Sequence, residues 1–326
     1  MKKYIHILTA LTLLAASCAK SEVNYEPSGQ VTLAPVKGNV TKAEGMTGTL
    51  PQTQELIIWS EWTHDGETES YINGDPFAYN RTYQAWAGKT GSYPWPLHGT
   101  LSFSGYTIPH DVTLIPGYYT EDKEILFTFT DYTNNEFDFC WFGRVEDVNY
   151  RLSNEKVVAN LNHALTWITI KAYGEGTPVG RWQITSLQLE SAITKGDATC
   201  YYDGVNKNKA IWTADATGDV TLSILEDAQN TQGTQTHTIT DTATKLTDNI
   251  IIPQTPTDLT IGYSYQVGDQ TKTDSRTVSL KLDNDNTTKW ASGVHYTYTL
   301  VFKSNDIQVA PSFGTWGSAD QNITVE

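Results

Sequence analysis

The stretch Leu259–Val267, LTIGYSYQV, alternates with a period of two: Leu259, Ile261, Tyr263, Tyr265 and Val267 share one face, and Thr260, Gly262, Ser264 and Gln266 the other. Successive side chains of a strand point to opposite faces, so such a run is a half-buried β-strand and not a helix. The same pattern recurs downstream. Val278, Leu280 and Leu282 alternate with Thr277, Ser279 and Lys281, and Val294, Tyr296, Tyr298, Leu300 and Phe302 with His295, Thr297 and Thr299. The turn-rich connection Asp283–Gly293 (DNDNTTKWASG) predicts that these two runs form a hairpin. Val220, Leu222 and Ile224 alternate similarly. In the first half, Leu56–Trp62, Leu101–Ile108, Ile125–Asp131 and Phe137–Phe142 are short apolar or aromatic runs punctuated by Gly, Pro and Asn. No long stretch keeps a helical period. Composition agrees, with 47 Thr, 18 Tyr and 10 Trp against only two Met. The chain is expected to be all-β, built as sandwiches.

At 326 residues the chain exceeds the size at which one core stops growing, so two domains are expected. The predicted division is a leader over residues 18–54, an N-terminal sandwich over 55–156 and a C-terminal sandwich over 157–326. Ala159–Tyr173 (ANLNHALTWITIKAY) is read as the first strand of the second. Within the leader, Val31–Val36 (VTLAPV) is a candidate strand that would complete the N-terminal sandwich, with Val31, Leu33 and Val36 as its apolar positions. Lys37–Gln54 (KGNVTKAEGMTGTLPQTQ) has four Thr, three Gly and little apolar bulk, the signature of an exposed, cleavable loop.

The amino terminus bears on compartment. Lys2 and Lys3 precede an apolar run from Ile5 to Leu14, followed by Ala15, Ala16, Ser17 and Cys18. A basic start, a short apolar core and small residues before the junction are the parts of a secretory signal, here residues 1–17. The run is too short for a bilayer, which needs about 20 residues. Cys18 stands where a bacterial lipoprotein carries its diacylglycerol; the alternative is an ordinary signal peptide whose first mature residue is Cys. On the lipoprotein reading, several acyl chains would hold the chain on a membrane almost irreversibly.

Losing Lys2 and Lys3 with the signal takes the formal charge from −15 to −17. Such a surface repels phosphate backbones, which argues against nucleic-acid partners. Cys140 and Cys200 are expected to be buried free thiols, a disulfide being the alternative. No HExxH, GxSxG, phosphate loop or CxxC occurs, so no catalytic residue, cofactor or metal site is predicted. The seven His are isolated in sequence, and His163 is read as a capping or core imidazole. Asp283 and Asp285 have calcium-loop spacing, but Thr288 replaces the turn Gly and Val294 the bidentate Glu, leaving a solvated turn. Trp95, Tyr118 and Tyr119 lie beside Pro or Gly in expected loops, where rings either stack on sugars of a host or microbial surface glycan or simply pack.

Taken together, Ser92–Tyr106 (SYPWPLHGTLSFSGY), Asn162–Tyr173 (NHALTWITIKAY), Ile251–Tyr265 (IIPQTPTDLTIGYSY) and Trp290–Trp316 (WASGVHYTYTLVFKSNDIQVAPSFGTW) resemble the fimbrillin family, the type V pilus subunits of Gram-negative anaerobes. The resemblance implies two tandem transthyretin-like β-sandwich domains, export as an outer-membrane lipoprotein, and assembly into a surface fimbria with other fimbrial subunits. It implies a non-enzymatic role in cell adhesion. In that family a protease of trypsin-like specificity cuts after a basic residue in the loop following the first strand; here Lys42 is that residue and Ala43 the new terminus. The family residue is usually Arg, so an Arg-specific protease would spare Lys42 and leave the lipid in place, as in anchor subunits. Strand exchange would then refill the gap. Asp241–Ala243 (DTA) resembles a short O-glycosylation signal, and an unmodified loop is the alternative. A rival reading is a surface-anchored glycan-binding lipoprotein that is never cut.

Overall fold

The computed structural model describes residues 29–36, 50–108, 125–133, 137–149, 156–202, 209–224, 236–283, 288–304, 306–315 and 323–324. Among them are nineteen strands and no helix: β1 Thr32–Val36, β2 Glu55–His64, β3 Glu67–Asn80, β4 Ala85–Gly88, β5 Thr100–Ile108, β6 Ile125–Thr133, β7 Cys140–Val148, β8 Val157–Asn160, β9 Asn162–His163, β10 Thr166–Gly174, β11 Trp182–Tyr201, β12 Lys209–Leu222, β13 His237–Thr238, β14 Thr244–Ile251, β15 Asp258–Val267, β16 Gln270–Ser279, β17 Val294–Lys303, β18 Asp306–Thr315 and β19 Ile323–Thr324.

The first eight-stranded sheet runs β8-β1-β4-β3-β2-β5-β7-β9. Its two end strands flank a single residue, Leu161, which is buried in the core between them. One segment therefore supplies both ends of the sheet, and the sheet rolls back on itself around that segment. This moves the boundary expected at 157. Val157–Asn160 pairs with β1 and Asn162–His163 with β7, so the chain leaves the first sandwich only after His163. Alternation told that Ala159–Tyr173 was extended but not which sheet it would join.

The second sandwich packs the sheet β14-β10-β17-β18-β19 against one built on β12-β11-β15-β16, with β13 and β6 also paired to β11. Its core holds Leu259 and Ile261 of the diagnostic stretch, with Ile168, Leu187, Trp290, Tyr298, Leu300 and Phe302. The opposite face of β15 approaches β11 closely. A side chain at Gly262 would collide with Ser186, where the β11–β15 ladder carries a register shift. The expected hairpin between 278–282 and 294–302 is not formed. β16 pairs with β15 through the two-residue turn Gly268–Asp269, whereas β17 lies in the other sheet between β10 and β18. The Asp283–Gly293 connection crosses between the two sheets, and Trp290, fully buried, pins it.

β11 joins the two sandwiches. Its Trp182–Leu189 portion pairs with β15, and its Lys195–Tyr201 portion pairs with β6. Between them Ser191 takes φ 52°, a left-handed conformation that turns the strand. The second portion covers an aromatic core shared by both halves of the chain, with Tyr106, Phe127, Phe129, Phe139, Trp141, Cys200 and Ile250. Ring centroids there are 4.6 Å apart for Phe129–Phe139 and 4.8 Å for Tyr106–Phe129, both edge-to-face, the geometry the ring quadrupole favours.

Candidate functional site

β1 is the most unusual element of the first sandwich. It is the first described strand of the chain, yet it lies inside the sheet. On one side it runs antiparallel to β4 (Thr32↔Ala87, Leu33↔Trp86), and on the other parallel to β8 (Leu33↔Val157 through Val36↔Asn160). The β4 ladder ends at Leu33. Pro35, which has no N–H to give, therefore sits where β1 has a neighbour on one side only. The residues ahead of β1 are stitched in as well: Val31 N donates to Tyr93 O at 2.7 Å, Trp95 N to Gly29 O at 3.2 Å, and Tyr93 N to Gln30 Oε1 at 2.8 Å.

The apolar face of this segment fills the core. Val31 and Leu33 are 1 % and 0 % exposed, against Leu56, Ile58, Phe77, Trp86, Phe103 and Phe142. Burial of each stabilises by roughly 1.5–3 kcal/mol over leaving it in water. The seat is preformed by neighbouring rings. Tyr93 stacks on Phe77 at 5.8 Å and 14°, and its hydroxyl donates to Asp75. Burial first, then the Asp75 hydrogen bond and its charge, push the Tyr93 hydroxyl up to about 12. Tyr71 donates to Pro94 O. Gly88 and Gly91 leave the space that the Tyr93 ring occupies, since a Cβ on either would come within 3 Å of it.

The structure thus places Val31 and Leu33 in the core of the N-terminal sandwich, the one their strand was expected to complete, although one of its two neighbours, β8, comes from the segment expected in the other sandwich. Val36 lies in the strand, opposite Asn160. Cys18, Lys42, Ala43, Tyr118 and Tyr119 lie outside the described residues. The loop expected to be exposed as far as Gln54 is packed at its far end: Leu50 is 2 % exposed in the first core, and Gln54 O accepts from Trp86 Nε1 at 2.9 Å. Trp95 does not offer a ring to sugars. It is 2 % exposed and packs edge-to-face on Phe103. Tyr201 and Tyr202 are half-buried, and Tyr202 packs against the shared aromatic core.

Other sequence readings also find their place. Cys140 and Cys200 are free and buried, and burial pushes both thiols well up. His163 is a core imidazole whose Nδ1 lies 2.9 Å from Asp138 Oδ1 and 3.5 Å from Cys140 Sγ. Thr288 N donates to Asp283 Oδ2 at 2.7 Å, closing a turn at the former calcium-loop candidate. Asp241–Ala243 is an exposed turn. A cleft of about 560 Å³ lies beside the junction of the two sandwiches, lined by Trp212, Gln254, Trp290, Lys209 and Lys289.

Comparison with known proteins follows the same lines. No curated protein matches the chain. Among solved structures, it is similar to a fimbrial protein from Bacteroides vulgatus, at 18 % identity and a TM-score of 0.55, over 80 % of this chain and 92 % of that one. It is also similar to a candidate cell adhesion protein from Bacteroides uniformis, at 15 % identity and a TM-score of 0.54, over 88 % and 98 %. At these identities the likeness is one of fold. The fimbrillin-like family model matches residues 41–316, and on that span the chain belongs to the fimbrillin-like family.

Proposed function

We propose that this protein is a non-enzymatic subunit of a surface fimbria with a role in cell adhesion, exported as an outer-membrane lipoprotein through Cys18 and assembled by strand exchange. A trypsin-like protease cuts after Lys42, leaving Ala43 as the new terminus. β1 then departs, and a strand of another subunit takes its place by β-augmentation. The observation that carries this reading is the position of β1. A strand from the segment just ahead of the predicted cut fills the interior of a sheet, so its loss would open two strand edges and a core at once. Such an opening is an aggregation liability until another strand fills it.

The mass of the protein recovered from cells tests the processing half. The expected species begins at Ala43 and carries no lipid; a chain that retains diacylglycerol on Cys18 and runs through Lys42 in assembled fimbriae would overturn strand removal. For the exchange half, a peptide of residues 31–36 should raise the melting temperature of the protein cut after Lys42 and leave the uncut protein unchanged, by mass action on the folded state. Equal effects before and after the cut would refute it.

A further inference from the structure

The seven histidines are scattered in sequence, but the fold brings two of them together. β2 ends at His64, Asp65–Gly66 makes the turn, and β3 begins at Glu67. Asp65 at φ 51° and Gly66 at φ 85° give the two left-handed residues of a tight hairpin turn. The β2–β5 ladder pairs Thr63 with Thr100, which sets His98 beside this tip. Trp62 holds both rings: its indole lies 3.7 Å from the His64 ring and 5.3 Å from the His98 ring, and its Nε1 donates to His98 O at 2.9 Å.

The donor atoms converge. His64 Nδ1 is 3.5 Å from Asp65 Oδ2, His98 Nε2 is 3.9 Å from the same oxygen, and one ligand atom of each residue lies within 4.8 Å of the other two. On its other side His64 Nε2 donates to Glu69 Oε1 at 3.3 Å. That bond selects the tautomer whose Nδ1 lone pair faces the Asp65 carboxylate. Nδ1 is shielded from solvent and makes no hydrogen bond, so two electron-rich atoms face each other across a gap that only a cation satisfies.

We infer that His64, Asp65 and His98 form a surface site for a borderline transition-metal ion, Zn²⁺ or Cu²⁺. Two imidazoles and one carboxylate suit these ions, whereas Ca²⁺ and Mg²⁺ favour all-oxygen cages. With bonds of about 2.0–2.2 Å, tetrahedral ligands stand roughly 3.3 Å apart. The Asp65 and His98 side chains, 84 % and 61 % exposed, have room to rotate towards that spacing. Glu69 plays the outer carboxylate that commonly orients a metal-bound histidine. Three protein donors at a surface leave positions for water, so the ion exchanges with solvent. Asp65, Glu67 and Glu69 on one hairpin also raise the local cation concentration. A second proton on His64 is the rival occupant, and it competes with metal.

The test is calorimetric titration of the untagged full-length chain with Zn²⁺ and with Cu²⁺ at neutral pH, together with Cu²⁺ paramagnetic resonance. The expected result is one ion per chain at this site, nitrogen hyperfine structure from two imidazoles, and no competition from Ca²⁺ or Mg²⁺. His98→Gln and Asp65→Asn, both exposed and compatible with the fold, should each weaken that site at least ~10-fold, and Glu69→Gln by about 10-fold with both nitrogens kept. Absence of stoichiometric binding, or binding undiminished in the His98→Gln/Asp65→Asn double variant, would overturn the assignment and leave a protonated His64 as the occupant.

Discussion

Truncating Leu33 to Ala removes the side chain that sits deepest in the β1 seat. Leu33 is 0 % exposed and lies at the register position that β4 and β8 share. A buried Leu→Ala change costs about 2–5 kcal/mol, the spread depending on how far the cavity collapses. Trp86 and Phe77 crowd the site and are themselves packed on Tyr79 and Tyr93, so little collapse is open to them and the upper half of that range is expected. In the uncut chain this appears as a lower denaturant midpoint with an unchanged slope. After a cut at Lys42 the same energy passes to strand affinity: at about 1.4 kcal/mol per decade, the upper half of that range means that a 31–36 peptide bearing Leu33→Ala should bind roughly 300- to 4,000-fold more weakly than the native peptide. Val158→Ala is the control, since Val158 is 50 % exposed on β8 and its truncation should stay within about 0.5 kcal/mol. If Leu33→Ala in the intact chain also falls within that window, β1 is not seated as described and the reasoning fails.

Other expectations follow from single contacts. Cys18→Ala should abolish lipidation and stable membrane association, read by fractionation and carbonate extraction. Thiol reagent should leave Cys140 and Cys200 untouched in the native protein and label both after denaturation, since burial disfavours both thiolates. Tyr298→Phe should cost about 1–3 kcal/mol by denaturation, because it strips the acceptor from Trp290 Nε1 (2.7 Å) inside a dry core. The raised Tyr93 hydroxyl keeps its proton longer in the folded state than unfolded, so its contribution is complete below pH 10 and is lost as pH climbs towards about 12. Tyr93→Phe should flatten that alkaline limb of a pH–stability profile.

The parts legible in the sequence were those governed by local alternation. Leu259–Val267 and Val294–Phe302 became strands, with Leu259, Ile261 and Tyr263 of the one and Tyr296, Tyr298, Leu300 and Phe302 of the other buried while Val267 at a strand end stays exposed, because burial on one side of a sheet imposes period two along its buried part. Partners were not legible, since alternation carries no information about the neighbouring strand. Hence the mistaken hairpin at Asp283–Gly293, and the assignment of Val157–His163 to the wrong sandwich. For Trp95 the sequence left packing and a sugar-facing ring both open for a related reason. Prolines mark a loop but do not say which way its ring points, and here the bonds to Gly29 and Gln30 turn it into the core. A signal was available for the His64 tip, because Asp65–Gly66 between two extended runs is a strong hairpin mark. His98 had no such mark; only the β2–β5 register brings it there.

The way the cores divide has a consequence for strand exchange. Val31 and Leu33 belong to the first core alone; among the described side chains, none from β1 is in the aromatic core that joins the sandwiches, or in the core of the second. Loss of β1 therefore subtracts from one cluster and leaves the β6–β11 junction with its full set of rings. On the proposed mechanism the seat would open while the contacts between the two sandwiches are kept. At the other end of the chain, β18 pairs with β17 from Val294↔Thr315 to Lys303↔Asp306, with Ile307 buried and Val309 and Phe313 packed on the second core. Donating β18 would forfeit that ladder and those contacts together. Among the described residues beyond Thr315, β19 pairs with the β18 edge at Ser312↔Thr324 and Phe313↔Ile323. On the proposed mechanism the subunit is thus built to receive a strand firmly at the β1 seat, and β18, tied into the second core, stays with its own fold.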